Sequence, residues 1–329
     1  MRLLWARKAG ERMEDQYGRS ISYLRVSVTD LCNLRCRYCM PACGVDKRAH
    51  GDILRFEELE EVVAAAAELG VRKVRLTGGE PLVRSGLPEL CHRLSRIPGV
   101  EELDLTTNGL LLERDAQALK EAGVRRVNVS LDTLRPDRFA AMTRGGNLEQ
   151  VLRGIQAARR AGLTPIKLNT VLIGGFNDDE IPDLVELTRQ EDLEVRFIEL
   201  MPLGPGAEFP AQAFLPCDTV LERAPELIPL GQSRGVARLY RLPGARGWVG
   251  LISPVSHDFC FGCDRVRLTS DGKLKPCLHS DKEISLRGLH GPELRAMLAE
   301  AIRAKPRSHQ PLEPGHPTAG GRPMNRIGG

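Results

Sequence analysis

Several things are missing from this sequence, and each absence removes a class of protein. No apolar run approaches the roughly 20 residues needed to cross a bilayer. The opening stretch Met1-Arg2-Leu3-Leu4-Trp5-Ala6-Arg7-Lys8 has charge but no apolar core of signal-peptide length. Glu11, Glu14 and Asp15 follow, where an organelle-targeting leader avoids acids. Neither sign of charge dominates: 47 Lys and Arg against 43 Asp and Glu leave +4, too little to mark a nucleic-acid binder yet enough for a local basic pocket. No internal repeat is evident. The expectation is a soluble cytoplasmic chain with neither membrane nor nucleic acid among its partners.

What is present is ordinary globular material, 42% hydrophobic and 27% charged over 329 residues, enough for a large core or two domains. From about residue 20 to 200, short β-rich runs alternate with helical ones. The pattern predicts strands at Tyr23–Val28, Val71–Thr77, Glu102–Thr107, Val124–Leu131, Pro165–Leu172 and Val195–Leu200. It predicts helices at Glu57–Leu69, Gly86–Arg96, Arg114–Ala122, Leu148–Ala161 and Asp179–Gln190. Strands joined by crossover helices make a parallel sheet. Polar residues gather where these strands end, as at a shared barrel mouth: Thr29-Asp30, Thr77-Gly78-Gly79-Glu80, Thr106-Thr107-Asn108, Ser130 and Glu199-Leu200-Met201. The texture changes after Met201, so residues 1–201 read as a barrel-like domain and 202–304 as a smaller region packed on it. Residues 305–329, rich in Pro, Gly and His, read as a mobile tail ending in Gly328-Gly329.

Nine cysteines are distributed unlike a disulfide framework. Cys32, Cys36 and Cys39 form C-x3-C-x2-C directly after the first strand. Three thiolates so close can wrap one corner of a four-iron cubane, leaving the fourth iron open to an external ligand. The alternative is a zinc site with a ligand elsewhere, and Cys43 offers a possible but unneeded fourth thiol. Cys260 and Cys263 form a second pair, followed by Cys277. Ser270-Asp271-Gly272 between β-like runs is a hairpin signal that turns Cys277 back toward Cys263. In an extended run Cys263, Arg265 and Arg267 share a face, which joins thiolates to forked phosphate donors. A zinc ribbon with solvated arginines is the bland reading here. Cys43, Cys91 and Cys217 read as ordinary thiols.

The stretch LRVSVTDLCNLRCRYCM (Leu24–Met40) with TGGEPL (Thr77–Leu82) resembles radical S-adenosylmethionine (SAM) proteins. Together with TTNG (Thr106–Gly109), IKLNTV (Ile166–Val171), RFIELM (Arg196–Met201), the second cysteine group and the terminal Gly-Gly, nearly the whole chain resembles the GTP 3′,8-cyclases of molybdenum-cofactor synthesis. One departure is Pro41-Ala42-Cys43-Gly44, where that family more usually has an acidic residue. The resemblance implies an α/β fold, a partial (β/α)6-type barrel with a smaller C-terminal region carrying a second cluster, and a family tail that enters the active site. It implies two [4Fe-4S] clusters as cofactors, one on Cys32, Cys36 and Cys39 and one on Cys260, Cys263 and Cys277. SAM would be bound by Tyr38, Gly79, Ser130 and Met201. GTP would be bound by Arg25, Arg75, Thr106, Lys167, Arg265, Val266 and Arg267, with Arg265 and Arg267 also acting in catalysis. It further implies SAM cleavage to a 5′-deoxyadenosyl radical, hydrogen abstraction from C3′ of GTP and closure onto C8 of guanine. The partners it implies are a reductant, a downstream pyranopterin-forming protein and a second copy in a homodimer.

The residues themselves add support and leave alternatives. Arg25, Arg75 and Lys167 lie inside strands of an apolar sheet, where a buried charge needs a counter-charge. A triphosphate would supply it, and so would internal ion pairs to Glu199 or Asp104. The Arg125-Arg126 pair reads as solvated surface. Competing functions are a peptide-modifying radical SAM enzyme and a non-catalytic iron–sulfur or zinc module.

Overall fold

The computed structural model describes residues 13–328 apart from Lys47, Asp258 and Ala319; the charged opening stretch through Glu11 and the terminal Gly329 lie outside the described residues. Six strands, β1 (Tyr23–Ser27), β2 (Lys73–Thr77), β3 (Glu102–Thr107), β4 (Arg126–Ser130), β5 (Ile166–Leu172) and β6 (Leu193–Glu199), pair in parallel in sequence order. Helices α1 (Phe56–Glu68), α2 (Leu87–Ser95), α3 (Leu112–Glu121), α4 (Pro136–Thr143), α5 (Leu148–Arg160) and α6 (Ile181–Gln190) supply the crossovers. All six strands and five of the helices fall where apolar periodicity predicts them, within a few residues at each end. The helix α4 is an addition. Its Pro136 at the first turn and short apolar stripe of Phe139 and Met142 give weak periodicity.

The C-terminal region does more than pack on this unit. After α7 (Thr219–Arg223) come β7 (Ile228–Arg234), β8 (Ala237–Arg241) and β9 (Trp248–Ile252), then β10 (Arg265–Leu268), β11 (Lys273–Lys275), β12 (Ile284–Ser285) and α8 (Gly291–Arg303). β9 adds in parallel to the β6 edge and β10 in parallel to the β1 edge. One sheet of twelve strands results, in the order β12-β11-β10-β1-β2-β3-β4-β5-β6-β9-β8-β7. The two edges left open by the first six strands are thereby paired rather than exposed.

Strand alternation separates two faces. Leu24, Val26, Val74, Leu76, Leu103, Leu105, Val127, Val129, Leu168, Val195 and Phe197 are buried in the apolar layer beneath the helices. The intervening residues face the barrel interior. There the register sets Arg267 beside Arg25, Arg25 beside Arg75, Arg75 beside Asp104, Asp104 beside Arg126 and Asn128 beside Lys167.

Composition suggests a mobile tail from residue 305; in the structure several of its side chains are packed against the rest of the chain. Lys305, Leu312, Asn325 and Ile327 are buried, and Arg322 forks onto Asp271 with two 3.0 Å bonds. A Pro/Gly-rich chain can be held without regular structure when its few apolar and charged side chains each meet a partner. No helix among the described residues is long and apolar enough to cross a membrane.

Candidate active site

The cysteine loop 32–39 leaves β1 and is braced from three sides. The last turn of α4 accepts the backbone N–H groups of Arg35 and Arg37 at 3.0 Å each, through Thr143 and Met142. Beneath it the end of β2 passes so closely that a Cβ on Gly78 would lie 2.4 Å from the Thr29 carbonyl oxygen, and one on Gly79 2.3 Å from that of Leu31. The close approach these glycines permit is therefore to the chain leading into the cysteines, with Gly78 also at φ +149°. Glu80 finishes the brace by accepting from Thr107 Oγ1 (2.7 Å), Asn108 N (2.7 Å) and Leu82 N (3.0 Å), and burial pushes its carboxyl up to about 7.

Cys32 Sγ receives N–H groups from Leu34 (3.3 Å) and Asn108 Nδ2 (3.8 Å), and Asn325 of the tail donates its Nδ2 to the Asp30 carbonyl at 3.2 Å, just before the loop. Burial, then Cys39 and Asp132, push Cys36 well above the ordinary thiol range; burial and Cys32 push Cys39 up to about 12. Three thiolates in so confined a space need positive charge among them, and a bound iron cluster would supply it. The N–H donors aimed at sulfur suit such a cluster, so the residues fit. Among the described residues no three His, Cys, Asp or Glu side chains close on a single ion.

The four residues expected at SAM sit on the loop or at strand ends. Tyr38 Oη donates to Asp132 Oδ2 at 2.7 Å, which pins the ring between the last two cysteines; burial raises Asp132 to about 6. Gly79 follows β2, Ser130 ends β4 and Met201 follows β6. Met201 also lines the central cavity.

That cavity, about 310 Å³, runs through the barrel to the second cysteine group. The hairpin is present: β10 and β11 pair antiparallel around Gly272, at φ +82°, and bring Cys277 back to the cavity wall with Cys260 and Cys263. Arg265, Arg267, Lys305, His279 and His309 line the same end. Burial pushes the Arg267 guanidinium down to about 10 and His279 to about 3, with Arg265 acting on the first and His309 on the second. Three thiols on one wall amid cations again fit an iron–sulfur cluster.

Between the two groups lies the polar ring. Arg75 is ion-paired to Asp104 (2.5 Å) and bonded to the Tyr23 hydroxyl, with Thr106 Oγ1 3.5 Å away. Lys167 pairs with Glu194 at 2.6 Å, and burial together with Arg196 pushes its ammonium down to about 7. Internal ion pairing is thus real, through Asp104 as expected but through Glu194 in place of Glu199. Glu199 instead accepts the backbone N–H groups of Cys217, Val255 and Ser256. Arg25 and Arg267 donate to the Gly328 carbonyl at 3.2 and 2.5 Å, so the tail reaches the polar ring.

Two expectations change. Val266 alternates away from its arginine neighbours into the apolar layer, leaving only its backbone near the cavity. Arg126 is not solvated surface: it faces inward and pairs with Glu102 and Asp104, while Arg125 is exposed. Sequence reasoning also passed over Tyr23, Lys73 and Arg196, which line the cavity. The signal was available, since Tyr23 and Lys73 lie two residues before Arg25 and Arg75 and so share their face.

The Radical SAM superfamily model matches residues 26–188, and the Molybdenum Cofactor Synthesis C model matches residues 193–311. A GTP 3′,8-cyclase of Alkaliphilus metalliredigens is 51% identical over 321 residues, covering 96% of this chain and 100% of the relative. That of Peptoclostridium acidaminophilum is 55% identical over 320 residues, covering 96% and 98%. The crystal structure of Streptococcus suis SuiB bound to S-adenosylmethionine shares the fold, with TM-score 0.58 at 14% identity over 88% of this chain and 69% of that one.

Proposed function

This chain belongs to the GTP 3′,8-cyclase family of radical SAM enzymes, and from that premise we propose how its residues divide the work. It cyclises GTP to (8S)-3′,8-cyclo-7,8-dihydroguanosine 5′-triphosphate, the first step of molybdenum-cofactor biosynthesis, using a [4Fe-4S] cluster and SAM. Bound together, these cofactors supply a carbon-centred radical able to take hydrogen from an unactivated C–H bond.

In this proposal Cys32, Cys36 and Cys39 hold that cluster and leave one iron for SAM. Tyr38, Gly79, Ser130 and Met201 line the SAM position, and Tyr38 is held in place by Asp132. Cys260, Cys263 and Cys277 hold a second cluster that anchors the purine. Arg25, Arg75, Thr106, Lys167, Arg265 and Arg267 receive GTP, with Val266 present through its backbone alone, and Arg265 and Arg267 steady charge near the reacting sugar. Lys73, Arg126 and Arg196 join them from the same ring. Fixed cations need no rearrangement as the reaction proceeds, and fixing the ribose against the base is the larger part of ring closure. A homodimer, a reductant, a downstream pyranopterin-forming protein and a cytoplasmic location complete the proposal.

The observation that carries it is the register-aligned ring of cations that shares one cavity with Cys260, Cys263 and Cys277 and with Met201, the residue that follows β6. Its test is anaerobic incubation of reconstituted protein with SAM, dithionite and GTP, followed by mass spectrometry. The expected result is 5′-deoxyadenosine together with the cyclised nucleotide, and loss of the nucleotide alone in Arg265→Ala. 5′-Deoxyadenosine with untouched GTP would overturn the substrate assignment.

A further inference from the structure

Lys305 lies just beyond α8 with its side chain turned into the protein, 2% exposed. Its ammonium donates to the carbonyl oxygens of Arg265 and Pro276, each at 2.7 Å. Arg265 comes two residues after Cys263, and Pro276 immediately precedes Cys277. One ammonium therefore ties together the two arms that carry these thiols. A second cation holds the third cysteine: Arg19 Nη1 donates to the Cys260 carbonyl at 2.7 Å, and its Nη2 to that of Pro306 at 2.5 Å.

The two cations differ in their charge balance. Arg19 is neutralised by Asp15, 2.6 Å from its Nε. Among the described residues Lys305 has carbonyl partners and no carboxylate. A buried ammonium is costly without an anion. Two carbonyls occupy two of its three N–H groups, and Lys305 lines the same cavity as Cys260, Cys263 and Cys277. Three thiolates around an iron cluster carry the negative charge this position lacks.

We propose that Lys305 is the positioning residue of the second cysteine group, clamping the arms of Cys263 and Cys277 and supplying the buried positive charge that balances their cluster. This rests on the reading that those cysteines hold a cluster. Removing the charge makes the cluster harder to reduce, and removing the clamp loosens its ligands.

The test uses the full chain, reconstituted anaerobically, as wild type, Lys305→Met, Lys305→Gln and Cys263→Ala. Iron and sulfide per chain, the midpoint potential of each cluster by EPR-monitored titration, thermal melting and GTP affinity are measured. Cys263→Ala is expected to lose the iron of the second cluster. Lys305→Met should lose that same iron or hold it at a more negative potential. Lys305→Gln, which keeps a donor without the charge, should keep the iron with the potential lowered. In both Lys305 variants, 5′-deoxyadenosine formation from SAM stays at the wild-type level. The proposal is overturned if both Lys305 variants match wild type in iron and potential. It is equally overturned if they lose both clusters together with a lower melting temperature, or if only GTP binding weakens. If Cys263→Ala loses no iron, the second-cluster reading itself fails and takes the proposal with it.

Discussion

Around Cys32, Cys36 and Cys39 the buried charged neighbours are acids: Glu80 beneath the loop, Asp132 on Tyr38, and Asp30 just before it. Around Cys260, Cys263 and Cys277 the buried ones include the bases Arg267 and Lys305, joined by the half-buried Arg19 and Arg265. Each group has three thiols on a short loop or hairpin, and the company differs in sign. An acidic surround suits the sulfonium and ammonium of SAM; a basic one suits a triphosphate, and in a confined cavity such preferences are worth more than in water. The tail spans both settings, with Asn325 Nδ2 on the Asp30 carbonyl before the first cysteine loop and the Gly328 carbonyl on Arg25 and Arg267. In the proposed division of roles, the charges packed behind each cysteine group, rather than its number of thiols, set what it receives.

The sharpest way to break that contrast is to remove one thiol from each group. Cys36→Ala is expected to reduce SAM cleavage to background. Cys263→Ala should leave 5′-deoxyadenosine formation intact while the cyclised nucleotide disappears, both read by chromatography. If each variant abolished both products, the two groups would not be functionally separable.

Next in size is the basic side alone. Arg267→Ala should cost about 3 kcal/mol of GTP binding, roughly 100-fold in Kd, by the usual cost of truncating a buried charge contact. SAM affinity should change less than twofold by calorimetry; an equal loss for both ligands would erase the distinction.

The acidic side is tested through Glu80. Glu80→Ala leaves the donors of Leu82, Thr107 and Asn108 without their acceptor, and should lower unfolding free energy by about 2–3 kcal/mol. Glu80→Gln, which keeps an acceptor, should cost less. Denaturant titration reads both, and equal losses would mean that the side chain acts by volume rather than by accepting hydrogen bonds.

The smallest effect concerns pH. Lys167 is pushed down to about 7 by burial and Arg196, whereas an unfolded lysine titrates near 10.4. Between those values the unfolded chain binds the extra proton, so this residue makes the unliganded protein more stable as pH rises from about 7 toward 10. Triphosphate favours the ammonium, so GTP binding should take up a proton above pH 7 and weaken as pH rises, by at most about tenfold per unit. Calorimetry at pH 8 in buffers of different ionisation enthalpy measures the uptake. No uptake, or the same uptake in Lys167→Met, would assign the pH dependence elsewhere.

Much of this was legible from local pattern. Two-residue alternation marked all six inner strands, and Asp271-Gly272 marked the hairpin because only a turn with positive φ closes it. Cysteine spacing marked both groups because their ligands are nearly contiguous in sequence. Other features had no local signal. Helix α4, which braces the cysteine loop through Thr143 and Met142, has too short a stripe to declare itself. Arg126 looked like surface because its neighbour Arg125 is surface, and only the phase of β4 separates them. Lys167 found Glu194 rather than Glu199 because the β5–β6 register sets residue 167 directly opposite 194.

By itself, then, the amino-acid sequence determined the elements, the two thiol groups and the charged residues on the inner strand faces, since each follows from spacing along one stretch of chain. Tertiary structure alone decided which charges meet. It set β9 and β10 at opposite edges of the sheet, brought a Pro/Gly-rich tail between the two cysteine groups, and set Lys305 across the hairpin that begins some forty residues earlier. These contacts join segments far apart in the chain, and no periodicity encodes them. They form only when parallel pairing fixes the register and the burial of charge forces each ion to find a partner.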